Sequence, residues 1–228
     1  MAKKAATKAP VAVPAETTLS DRAYGDLEAL IVTLQLAPGS AVSEAELSQR
    51  LGIGRTPIRE ALQRLARERL ITILPRRGII VSEINIKSQL RLLEVRREVE
   101  RLVARSAARR ATTEERARFL EMARSFEKSA RGNDEATFMR VDREYNELSV
   151  VAARNEFAAG AMTLMHSLSR RFWFIHYKQA ADMPHAAKLH ADVARAIARQ
   201  DEKAAAAASD RLLDYIAQFT RATVSADA

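Results

Sequence analysis

The stretch from Ser43 to Val81 constrains this chain more than any other, because the local signals within it order its elements. Ser43 and Glu46 have the S-x-x-E spacing in which each side chain satisfies a free amide of the other's turn, so a helix starts there. It carries Leu47 and Leu51 on one face and stops at Gly52, whose freedom at positive φ suits a helix end. Arg55-Thr56-Pro57 opens a second helix, with Thr56 placed to cap it and Pro57 at the first helical position, where its missing amide hydrogen costs little. Residues 70–74 (LITIL) and 79–81 (IIV) are rich in β-branched side chains and flank the turn-forming run Pro75-Arg76-Arg77-Gly78. Two helices, a strand, a basic turn and a second strand make a winged helix-turn-helix.

In the second helix Ile58, Ala61, Leu62 and Leu65 recur at helical spacing and face a core. Arg59, Gln63 and Arg67 are left on a wet face, with Arg55 at its entrance. Residues 50–81 hold eight arginines against Glu60 and Glu68, a local net charge of +6 in a chain of +8. A cationic helix face of this kind is what the major groove of duplex DNA accepts, and a bidentate arginine–guanine contact there carries about 1–3 kcal/mol of base discrimination. Arg55 and Arg59 are the expected base readers, while Arg76 and Arg77 on the wing reach phosphates or the minor groove.

The remaining chain narrows the possibilities. No apolar run approaches the roughly 20 residues that span a bilayer, and the absence of cysteine removes disulfides, thiolate metal sites and cysteine nucleophiles together, so the cytoplasm is the expected compartment. Residues 1–18 mix alanine, lysine, threonine and proline without apolar periodicity and read as a disordered tail. Ser20 then caps a first helix running to about Gln35, with Leu27, Leu30, Ile31 and Leu34 as its buried stripe. After Val81 everything reads at helical period, with breaks that suggest helices near 87–110, 113–131, 134–153, 156–180, 184–199 and 201–222. The fold class is therefore mainly α: a winged helix-turn-helix over 19–84, an all-α bundle over 85–223, and a short tail at 224–228.

The amino-terminal part resembles the GntR family of bacterial transcription regulators. The resemblance rests on Leu36-Ala37-Pro38-Gly39, Glu44, Leu47, Leu51-Gly52-Ile53, Arg55-Thr56-Pro57-Ile58-Arg59-Glu60-Ala61-Leu62 and Arg76-Arg77-Gly78. Gly54 departs from it, since the family usually has serine there, which removes a phosphate-contacting hydroxyl. The resemblance implies that Arg55, Thr56, Arg59 and the wing glycine Gly78 lie at DNA.

The helical part resembles the FCD effector domain, the helical domain (FadR C-terminal domain) of one branch of that family, through Glu94-Val95-Arg96 and Glu100. Relatives often hold a divalent metal through an Asp-x-x-x-His pair and two later histidines. Here Asp142 matches the aspartate, Asn146 stands at the first histidine, His190 matches the second and Leu212 occupies the third. Two of four ligands are replaced, so Asp142, Asn146 and His190 offer at most a weakly held divalent metal. Without it, Arg96, Asp142, Asn146 and His190 are the polar candidates to orient an organic acid or related metabolite. His166 and His176 lie ten residues apart, out of helical register, and do not form a local chelating pair.

The resemblance implies a cytoplasmic, homodimeric, ligand-responsive repressor that reads an inverted-repeat operator, with no enzymatic activity. The helix at 87–110 is the expected transmitter of the effector's influence. Two alternatives stay open at this point: an architectural DNA-binding protein without effector, favoured by a solid bundle, and a metal-dependent helical enzyme tethered to DNA. No phosphate-binding glycine loop, cysteine nucleophile or recognisable Ser-His-Asp arrangement supports the second.

Overall fold

A computed structural model describes residues 18–74, 78–180 and 182–226. Helix α1 (Leu19–Val32) is capped by Thr18, whose side chain accepts the Asp21 amide, rather than by Ser20. It ends before Gln35 because Leu34 takes a left-handed φ of 61°, incompatible with helix. Helix α2 (Glu44–Leu51) has the expected capping box of Ser43 with Glu46 and closes on Gly52 at φ 64°. Helix α3 (Arg55–Arg67) buries Ile58, Ala61, Leu62 and Leu65, the stripe read from the sequence.

Strands β2 (Ile71–Leu74) and β3 (Gly78–Val81) pair antiparallel, and a two-residue strand not foreseen, β1 (Ala41–Val42), lies on the other side of β3. Leu27, Ile31, Leu47, Ile58, Leu65, Leu70, Ile79 and Val81 share one core. Fully burying each such side chain contributes about 1.5–3 kcal/mol.

The helical part is built from α4 (Ile86–Arg110), α5 (Thr113–Gly132), α6 (Glu135–Ala153), α7 (Glu156–Ala180), α8 (Met183–Ala198) and α9 (Glu202–Ala226). Thr112 and Glu115 make a second capping box, and Asp134 and Asp182 cap the helices that follow them. The bundle core joins Phe119, Phe126, Phe138, Tyr145 and Leu212 to an alanine-rich surface on α8 and α9 that lets the helices approach closely. Helix α9 runs through Ala226, into the segment expected to be a tail at 224–228. The tail expected at 1–18 falls, apart from Thr18, outside the described residues, and so do Arg76 and Arg77 of the wing. Leu168 of α7 packs on the winged-helix core, so α7 belongs to the bundle and also touches the other half.

Candidate nucleic-acid interface and helical cavity

Arg55 and Thr56 are exposed at the start of α3. The cap there is Gly54, which has no side chain to offer, so Thr56 does not cap and Pro57 falls at the third helical position instead of the first. The first amides of α3 thus lack a side-chain acceptor, and free amides at a helix start are suited to phosphate oxygens. The Ser48 hydroxyl holds the preceding turn by donating to the Ile53 carbonyl at 2.6 Å.

The Arg59 side chain is 64% exposed, and its Nε and Nη2 donate to the two oxygens of Glu44 at 3.0 and 2.7 Å. This forked pair ties α3 to α2 and holds the Glu44 carboxyl below its usual range. Gln63 and Arg67 share the wet face. Gly78 opens β3 at φ 96°, and a Cβ there would stand 3.4 Å from the Val42 carbonyl oxygen, so backbone strain makes the position a glycine's.

Arg96, Asp142, Asn146 and His190 converge on one cavity inside the bundle, together with His166 and Arg170, which the sequence reading did not include. His190 Nδ1 donates to the Ala186 carbonyl oxygen at 2.8 Å, while Nε2 faces Asp142 Oδ1 at 3.2 Å. Asn146 Nδ2 donates to the same Asp142 oxygen at 3.2 Å. Burial alone would raise Asp142, but its hydrogen bond to His190 and the nearby charges of His190, Arg170 and Arg96 hold its carboxyl below the ordinary range. Arg96 both lines the cavity and pairs with Glu100 one turn along α4. Burial, reinforced by the Arg96 charge, pushes His166 down to about 3. The cavity measures about 40 Å³, room for a few water molecules rather than for a metabolite.

The donor set does not suit a metal. Among the described residues no group of three His, Cys, Asp or Glu side chains is placed to hold one. One Asp142 oxygen is already shared by His190 and Asn146, and Arg96 and Arg170 add positive charge where a cation would sit. Leu212, at the position of the family's third histidine, is 2% exposed in the bundle core.

Arg170 joins the two halves. Its Nη1 donates to Glu28 Oε1 of α1 at 2.8 Å, and the carboxylate is only 5% exposed. Its Nε, buried, has no hydrogen-bond partner. The partners are 142 residues apart, so no local spacing could have revealed the pair.

Comparison with known proteins agrees with this architecture. The pattern described as "Bacterial regulatory proteins, gntR family" matches residues 19–81, and the FCD domain pattern matches residues 91–215. The chain belongs to the gntR family, in the branch that carries an FCD domain, and is a DNA-binding transcription regulator of that type. The galactonate operon transcriptional repressor of Escherichia coli K12 is 30% identical over 89% of this chain and 95% of its own length. The Nta operon transcriptional regulator of Aminobacter aminovorans is 29% identical over 86% and 93%. Among solved structures, E. coli McbR/YncC superposes with a TM-score of 0.75 at 16% identity, covering 92% of this chain and all of that one, a likeness of fold.

Proposed function

We propose that the protein is a homodimeric transcriptional repressor whose operator binding is modulated by a small organic acid taken up in the helical bundle. Arg55, Thr56, Arg59 and the wing residues Arg76, Arg77 and Gly78 read an inverted repeat, one half-site per subunit. Dimerisation follows from the two-fold operator, and Val151 and Phe157, 59% and 81% exposed around the turn between α6 and α7, are apolar surface for a second copy. A cytoplasmic location suits this role, and no described helix is long and apolar enough to cross a membrane.

One observation carries the effector reading: Arg170 lines the bundle cavity and at the same time holds Glu28 of the DNA-binding half. A carboxylate entering beside Arg96 competes with Glu28 for that guanidinium. Since the cavity holds only about 40 Å³, an acid must also spread α6, α7 and α8 to enter, so ligand and closed domain arrangement are mutually unfavourable. That differential affinity is what a modulator requires. Helix α7 thereby takes the transmitting role that the sequence suggested for the helix at 87–110.

The test is a thermal-shift screen of small carboxylic acids, aldonates such as galactonate included, followed by operator binding with each hit. The expected result is that a hit weakens operator binding of the wild type by about tenfold or more, and that Glu28→Gln binds the operator but responds less. If no acid shifts the melting temperature and operator affinity is constant, the alternative of an architectural DNA-binding protein, which the small cavity favours, replaces this reading.

A further inference from the structure

A much wider opening than the bundle cavity lies elsewhere. A groove of about 570 Å³ runs between the winged helix and the bundle, bounded by the end of α3, the 83–85 connection, the first turns of α4 and the middle of α7. That volume lies within the ordinary range for sites that take drug-sized ligands.

Its chemistry is two-sided. Arg67, Arg69, Arg91 and Arg171 line the groove, against the single acid Glu83. Arg171 is decisive: it is 1% exposed, yet its Nε and Nη2 have no hydrogen-bond partner. Burial pushes its pKa down, and Glu83 offsets this only through its charge. Two guanidinium nitrogens closed off from water without hydrogen-bond partners are costly, and such groups call for an explanation. Asn85, the cap of α4, lies on the same groove, so the positive end of that 25-residue helix opens toward the same place. The groove is also lined by Leu92, Val95, Leu164 and Met165, of which Val95 and Leu164 are 57% and 48% exposed.

We infer that this groove is a second ligand site, distinct from the bundle cavity, for an amphipathic organic acid whose carboxylate sits on Arg171 and whose hydrocarbon or aromatic body lies along α4 and α7. Its walls come from both halves of the molecule, so an occupant bridges the end of α3 to α4 and α7 and biases the angle between the DNA-reading surface and the bundle.

The experiment is calorimetric titration of the full chain with octanoate, with octanol (body alone) and acetate (head alone) as controls. Octanoate is expected to bind one per chain and at least about tenfold tighter than either control. Arg171→Met should lose about tenfold or more in octanoate affinity, while its ligand-free melting temperature stays level or rises because an unpaired buried charge has gone. Val95→Glu, at the exposed rim, should weaken octanoate by opposing charge without touching the core. Arg96→Ala, in the bundle cavity, should leave octanoate binding unchanged even if it abolishes the response to the other effector. The inference is overturned if octanoate does not bind, if octanol binds equally well, if Arg171→Met binds octanoate like the wild type, or if an Arg96→Ala protein that is folded by circular dichroism loses octanoate binding.

Discussion

The arginines of the DNA-reading helix and those inside the bundle meet opposite surroundings. In the winged helix Arg55, Arg59 and Arg67 are exposed, and the Arg59–Glu44 pair stands in water. In the bundle Arg96 and Arg171 are 6% and 1% exposed, and Arg96 and Arg170 are tied to Glu100 and Glu28. An exposed charge costs little to hold and remains available to a polyanion, whereas a buried one must be matched by a partner or a ligand. Neutralising the first kind should change binding and not stability; breaking a buried pair that is already matched should cost stability.

The largest test of that contrast lies in the bundle. Asp142→Ala removes the oxygen that both His190 and Asn146 address, leaving two polar groups stranded in a buried site. The expected loss is about 3 kcal/mol of unfolding free energy, read from the urea midpoint. A change below about 1 kcal/mol would mean that water reaches the site and that the bundle is less sealed than its burial indicates.

On the other side of the comparison, Arg59→Ala should weaken specific operator binding by about 1–3 kcal/mol, read by fluorescence anisotropy at fixed salt. Stability should move by less than about 1 kcal/mol, because an exposed pair such as Arg59–Glu44 contributes little to folding. Unchanged operator affinity would remove α3 as the reading helix, and a large loss of stability would make the pair structural.

What could be read from the sequence follows the same division between local and non-local. Helix ends written into neighbouring residues were legible: the Ser43–Glu46 box and Gly52 all stand where spacing puts them. Thr56 misled because glycine at the cap leaves its signature to the next polar residue, and Gly54 occupies that cap. Strand β1, two residues long, exists only because β3 pairs with it. In the bundle, Asp142 and Asn146 share a helix face and could be paired on paper. Spacing along the chain compares His166 only with His176 on its own helix, whereas it matters through Arg96 on another. Arg170 and Arg171 carry no signal at all until Glu28 and Glu83 are brought beside them by the fold.

His166 offers the smallest effect and the finest test of how closed the bundle is. In the unfolded chain its ordinary value is 6.5, and in the fold burial and Arg96 push it down to about 3. A depressed group stabilises fully above its unfolded value and loses that contribution as pH falls toward its folded one, because only the unfolded chain takes up the proton. Between about pH 7 and about pH 5.5 this costs the wild type about 1 kcal/mol of stability. Asp142, also held low, titrates below its ordinary 3.8 and stays out of that window. His166→Gln keeps a polar side chain of similar length without a titrating ring, so its stability should fall less over the same range by about that amount. Equal slopes for the two chains would show that His166 takes up its proton in the folded state too, which a bundle closed around Arg96 does not permit.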